Sequence, residues 1–277
     1  MIIDNLICPI CGAKLGFFDK FLECGNRHRF DFAKQGYVNL LPVNRKHSKN
    51  PGDTREMVRA RQEFLAKGYY EPIAETAVEL LTSSLPEMPL IVDAGCGEGY
   101  YLSYIRNRIS GTFIGFDISK EAVRFASARN KGVLWLTASS AAIPIADEAA
   151  DAVTSMFALT KPEEFSRILK SNGYFLEITA GRKHLMNLKS LIYPKLILKQ
   201  EKDYAVPTGF REVVSRTISF EIQLDDSETI MQLLTMTPHY WRITKNAAER
   251  LAGQNTLHDR TEVEFRLFQK IADSCSV

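Results

Sequence analysis

Two groups of residues in this chain have the types and spacings that do chemistry. The first is Cys8-x2-Cys11-x12-Cys24-x3-His28. Three thiolates and an imidazole in paired short spacings are ligands for zinc, with Pro9 and Gly12 shaping the first knuckle and Gly25 lying in the second. Four protein ligands leave no open coordination position, so such a site is structural rather than catalytic. The chain has five cysteines, an odd number, with three crowded into residues 8–24, which is not the pattern of a secreted disulfide framework. A segment of about 40 residues has little core of its own, so zinc would contribute directly to its folding.

The second group is Asp93-Ala94-Gly95-Cys96-Gly97-Glu98-Gly99, at the end of a buried apolar run, with Asp117 ending the next run. Glycines let the backbone turn sharply and approach a ligand closely, and a helix follows whose first N–H groups face the same crevice. A dinucleotide loop spaces its glycines as G-x-G-x-x-G, whereas here the third comes one residue early. Asp93 and Glu98 would repel a pyrophosphate but suit a cofactor with an ammonium, a sulfonium and no phosphate. The loop therefore predicts S-adenosylmethionine, with Asp117 placed to accept both ribose hydroxyls. Ser139, in Ala138-Ser139-Ser140 after the third strand, is expected along the adenine, and Cys96 reads as a small apolar filler.

These residues need a scaffold. Leu90–Ala94, Phe113–Asp117, Val133–Thr137, Ala152–Phe157 and Tyr174–Thr179 read as strands, with helices near 100–108, 119–129 and 162–170 between them. Asn172-Gly173 supplies a turn into the fifth strand. Residues 181–210 read as irregular or helical, and residues 217–224 and 261–270 alternate like a closing antiparallel pair. The fold class is α/β, a Rossmann-like methyltransferase sheet with its ligand crevice at the strand carboxyl ends and a small N-terminal zinc-binding module. Three regions follow: residues 1–43 as the zinc module, 44–84 as a linker and two helices at the cleft (about 55–67 and 71–84), and 85–277 as the methyltransferase domain.

Charge separates the same regions. The chain of 277 residues has a net charge of +2, yet residues 1–61 carry 11 Lys/Arg against 6 Asp/Glu, densest at Arg45-Lys46-His47-Ser48-Lys49. A basic end suits a phosphate-rich partner or is simply a solvated loop. No apolar run approaches the roughly 20 residues of a membrane span and no secretory leader is recognisable, so the location expected is cytoplasmic.

Together these parts resemble the bacterial 23S ribosomal RNA (guanine-N1)-methyltransferases. The resemblance rests on the knuckle, on Gly36-Tyr37-Val38-Asn39-Leu40-Leu41-Pro42, on Ala60-Arg61 and Gly68-x-Tyr70, on the glycine loop, on Arg182-x-His184-Leu185-Met186 and on Met236-Thr237-Pro238 with Trp241-Arg242. It implies methylation of N1 of a guanine in a hairpin loop of domain II of 23S rRNA, zinc and S-adenosylmethionine as cofactors, and a homodimer. It also implies that Tyr70, Gly97, Glu98 and His184 contact the cofactor. The fourth strand ends Ser155-Met156-Phe157-Ala158-Leu159 where relatives carry an aromatic-Ala-Pro sequence, and Phe157 is the candidate to stack on the target base.

Guanine N1 holds a proton with a pKa of roughly 9, so a base or a water relay must remove it. N1 lies on the pairing edge, so the base must be unpaired or flipped out, as hairpin loops allow. His184, Glu177 and Asp151 are the candidate bases, with Asp151 better placed to open a strand and Glu177 to be a sheet residue. Tyr240 and Trp241 are further stacking candidates, with Trp241 equally readable as core. Two rival functions share these features. One is methylation of another RNA or of a small molecule, which needs no zinc module; the other is a non-catalytic RNA-binding assembly factor, which needs no complete acidic-glycine loop.

Overall fold

A computed structural model describes residues 2–42, 51–196 and 205–272. The basic run at 45–49, most of the linker and part of the stretch after Ile192 lie outside the described residues. Four short strands come first, β1 (Leu15–Phe18), β2 (Phe21–Cys24), β3 (Arg29–Asp31) and β4 (Val38–Asn39). Helices α1 (Arg55–Ala66) and α2 (Glu71–Thr82) lead into the alternation β5 (Leu90–Ala94), α3 (Tyr100–Arg106), β6 (Thr112–Asp117), α4 (Lys120–Arg129), β7 (Leu134–Thr137), β8 (Ala150–Met156), α5 (Pro162–Ile168), β9 (Leu169–Ala180). The chain continues with α6 (Met186–Ile192), β10 (Phe210–Leu224), α7 (Ser227–Thr235), α8 (Lys245–Ala252) and β11 (Leu257–Lys270).

Local chemistry starts the helices where the sequence says they should. Thr54 caps α1, its hydroxyl accepting from the Met57 N–H, and Pro72 opens α2 where its missing donor costs nothing. Helix α1 buries Met57, Val58, Ala60, Phe64 and Leu65, one stripe at helical period. Every residue of β5 is buried, as a strand covered on both faces must be. No described helix is long and apolar enough to cross a membrane.

The large sheet has eight strands in the order β10-β11-β9-β8-β5-β6-β7-β4. Strands β4 to β9 pair in parallel, and β9-β11-β10 close the sheet antiparallel. Order reverses at β5, between β6 and β8, which opens the crevice at their carboxyl ends. Three features depart from the sequence expectations. Strand β9 begins at Leu169, and Asn172-Gly173 sits inside an irregularity of that strand, where the partner moves from Ala150↔Leu169 to Ala152↔Tyr174 and Asn172 has φ 63°. The closing pair is longer than its alternating segments, β10 pairing with β11 along its whole length and β11 with β9 over Val263–Gln269. Helices α7 and α8, with a 3-10 turn at Pro238–Arg242, fill the span between β10 and β11.

The zinc module merges with this sheet. Strand β4 pairs Val38↔Leu136 and Asn39↔Thr137, and Leu6 bridges to Ile145. Leu6, Leu15, Leu22, Val38 and Leu40 are buried in one cluster with Ile114, Leu136, Ile143 and Ile145. A three-stranded ribbon cannot cover its own apolar face, so it borrows the sheet.

Candidate functional site

Strands β1 and β2 and the turn after Cys24 bring Cys8, Cys11, Cys24 and His28 together, with ligand atoms within 4.8 Å of one another. Cys11 Sγ lies 3.7 Å from Cys24 Sγ, and His28 Nδ1 lies 3.5 Å from the sulfurs of both Cys8 and Cys24. Tetrahedral zinc with bonds of about 2.3 Å to sulfur and about 2.0–2.1 Å to nitrogen requires edges of about 3.8 and about 3.6 Å. These three edges match, and all four ligand atoms lie within 4.8 Å of one another, so the side chains fit zinc as a closed structural site.

The glycine loop follows β5 at the reversal point. Gly95, Gly97 and Gly99 all have positive φ, 78°, 55° and 81°. At two of them a side chain has no room: a Cβ on Gly95 would stand 2.5 Å from Ala158 Cβ, and one on Gly99 would stand 2.6 Å from the Trp135 ring. Asp117 accepts from Gly97 N–H through Oδ2 (3.0 Å) and from Ser119 N–H through Oδ1 (2.8 Å), which leaves a lone pair on each oxygen for a pair of hydroxyls. Asp93 lies beneath the loop, accepting from Thr154 Oγ1 at 2.7 Å. Burial pushes its carboxyl up to about 7; Thr154 opposes this, and Asp117 and Glu98 add to it. A buried acid of this kind favours a cationic ligand. Glu98 is also buried; it lines the cleft, accepts from Tyr100 N–H at 2.8 Å, which satisfies one N–H of the first turn of α3, and meets Arg129 at 3.4 Å. Ser139 lines the same crevice, its hydroxyl accepting from Ala141 N–H.

Tyr70, at the start of α2, and His184, beyond β9, meet across the cleft, the hydroxyl 3.5 Å from Nε2. His184 Nδ1 donates to the Glu262 carbonyl at 3.0 Å, so the proton sits on Nδ1 and Nε2 offers a lone pair. Burial, with Lys189 adding to it, pushes the imidazole down to about 4. It is neutral at physiological pH.

Tyr70, Asp93, Gly95, Gly97, Glu98, Asp117, Ser139 and His184 line one cleft of about 1200 Å³. Its lining carries Asp53, Asp93, Glu98 and Asp117, with Arg61 against the glycine loop, together with Lys161, Arg182, Lys189, Lys195, Arg242 and Glu264 from other segments. Phe157 lines the cleft with φ 54°, a backbone that costs a bulky residue energy. Its ring is 41% exposed and 6.2 Å from Tyr101. Trp241, 64% exposed at the cleft edge, is not core. Asp151 holds Leu90 N–H and Lys170 at the opposite end of β8, and Glu177 does not line the cleft, so neither reaches a substrate there. The basic share of the lining was not legible in the sequence, because its cations come from separate segments. Glu264, on β11, was missed for the same reason.

The chain matches known proteins along the same division. Residues 6–49 match the zinc-ribbon family described as "RlmA, N-terminal", and residues 92–176 match the methyltransferase domain family. It is 31% identical to the 23S rRNA (guanine(748)-N(1))-methyltransferase of Streptomyces fradiae, over 94% of each chain. A Micromonospora griseorubida protein with a provisional 23S rRNA (guanine-N(1)-)-methyltransferase name is 30% identical over 87% of this chain and 88% of its own. A Bacillus subtilis protein with a name of the same kind is 28% identical over 95% of this chain and 96% of its own. The knuckle, the acidic-glycine loop and these full-length matches place the chain in one family: it belongs to the 23S rRNA (guanine-N1)-methyltransferases.

Proposed function

We propose that the protein transfers a methyl group from S-adenosylmethionine to N1 of a guanine in a hairpin loop of domain II of 23S rRNA. The observation that carries this reading is the mixed lining of the cleft. Its carboxylates suit a cofactor with two positive groups, and its lysines and arginines, with exposed Phe157 and Trp241, suit an RNA loop with its target base stacked. Residues 1–43 act as the RNA-recognition module, residues 44–84 bring helices to the cleft, and residues 85–277 perform the transfer. Pairing of two copies belongs to the same reading.

The cofactor supplies an electrophilic methyl on sulfonium. Bound there, it would supply that methyl to N1, with S-adenosylhomocysteine as the leaving group and the N1 proton passing to solvent. Catalysis then rests on positioning and electrostatics. Asp93, Gly95, Gly97, Glu98, Asp117 and Ser139 hold the donor, with Tyr70 and His184 closing over it. A histidine pushed down to about 4 is too weakly basic to draw the N1 proton, so His184 acts by position. Phe157 holds the guanine plane.

The test is reverse transcription of 23S rRNA. A stop at one domain II guanine, lost on gene deletion and restored by a plasmid copy, is expected. An unchanged stop after deletion, or a lost stop outside domain II, would refute the assignment.

A further inference from the structure

Arg61 has no role in the function above, yet it sits inside the donor half of the cleft. Its Nη1 pairs with Asp53 Oδ2 at 2.6 Å and its Nη2 donates to the Met236 carbonyl at 3.2 Å. Nη1 also stands 3.4 Å from where a Cβ on Gly97 would be, so the guanidinium lies directly on the cofactor loop. Burial opposes its charge, but Asp53, Glu98 and Asp117 outweigh that and keep it ionised. Each terminal nitrogen carries two hydrogens, so the two contacts named leave a second N–H on each.

Arg61 lines the cleft against the glycine loop, together with Asp53, Asp93, Glu98 and Asp117. Those carboxylates welcome the ammonium and sulfonium of S-adenosylmethionine and repel its carboxylate. A group that offsets this repulsion must be cationic, close to the loop and equipped to bind two oxygens, which describes an arginine fork. We propose that Arg61 receives the methionyl carboxylate of the cofactor, with Asp53 holding the fork in place. The pairing rests on the cofactor reading above and adds to it the residue that selects for the amino-acid end of the donor. The competing role is purely mechanical: Arg61 would be a strut joining α1, the segment at Asp53 and the turn at Met236.

Calorimetry on full-length, zinc-loaded, RNA-free protein separates the two. The ligands are S-adenosylhomocysteine and its decarboxylated analogue, in which hydrogen replaces the carboxylate. Wild-type protein should bind the first about 10–100-fold more tightly, the range a charge-assisted contact supplies. Arg61→Met should bring the ratio close to one by weakening S-adenosylhomocysteine selectively. Arg61→Lys, which keeps the charge but loses the fork and is the safer variant for folding, should reduce the ratio partway. A wild-type ratio near one overturns the proposal, as does a variant that weakens both ligands equally and leaves the ratio intact. Wild-type protein that binds neither ligand overturns the cofactor reading itself, a separate and distinguishable result.

Discussion

Replacing Asp93 with asparagine should make the cofactor-free protein more stable and a poorer binder of S-adenosylmethionine, and the stability gain should depend on pH. Asp93 is 2% exposed, and burial lifts its carboxyl from the ordinary 3.8 to about 7. At 1.36 kcal/mol per unit, a gap of about 3 units is worth about 4 kcal/mol. The direction follows from proton uptake. Between about pH 4 and pH 7 the folded state holds a proton that the unfolded state has released, so stability falls as pH rises through that window. Above about pH 7 the full cost of a buried ionised carboxylate is present. Asparagine carries no charge, occupies a similar volume and still accepts from Thr154. Asp93→Asn should therefore exceed wild type by about 2 kcal/mol at pH 5 and about 4 kcal/mol at pH 8. At about 2–4 °C per kcal/mol for a chain of this size, the difference in Tm should widen by several degrees over that interval. Thermal unfolding of both proteins without cofactor, at half-unit steps from pH 5 to 8, measures it; acid loss of zinc affects both and cancels in the difference. A gap in Tm that stays constant with pH would refute the reasoning, since an ordinary carboxylate is already ionised throughout. Binding should move the opposite way. A cation stabilises ionised Asp93, so wild-type affinity for S-adenosylmethionine should drop as pH falls below about 7, while that of Asp93→Asn stays low and flat.

The tetrahedron of Cys8, Cys11, Cys24 and His28 should retain one zinc per chain through purification in metal-replete buffer, and Cys24→Ala should abolish retention, read by atomic emission. Because Leu6, Val38 and Leu40 share a cluster with Ile114, Leu136 and Ile145, removal of residues 1–43 should also cost the large sheet its stability. A truncated protein that stays soluble and binds S-adenosylhomocysteine like wild type would argue against that shared core. Phe157→Ala should leave S-adenosylhomocysteine affinity and Tm nearly unchanged but lower kcat/KM for rRNA about 10–100-fold, since one base stacked on an aromatic ring is worth about 1–3 kcal/mol. Equal loss of cofactor affinity would place Phe157 in the donor half instead.

Much of this protein is written in short-range chemistry. Four ligands spaced 2, 12 and 3 residues apart form a zinc knuckle because two tight turns bring them together locally. Gly95, Gly97 and Gly99 announce a loop whose positive φ angles and close approaches other residues cannot adopt, and Asp93 and Asp117 announce the charge of its ligand. Thr54, Pro72 and the apolar runs place helices and strands to within a few residues, because caps, turns and periodicity act over one or two turns of chain. What the tertiary structure decided is which distant segments meet. Val38 and Asn39 became a strand of the large sheet because the ribbon's apolar face needed cover, a requirement no local pattern states. Glu98 gained Arg129, at the end of α4, as an ion-pair partner. Trp241 reached the cleft edge, Asp151 the far end of the sheet, and Lys161, Arg182, Lys189, Lys195 and Arg242 converged on one cleft. Arg61 acquired its surroundings in the same way, from Asp53, Gly97 and Met236. Each of these outcomes depends on burial and charge summed over the folded chain, and those sums exist only after the sheet has closed.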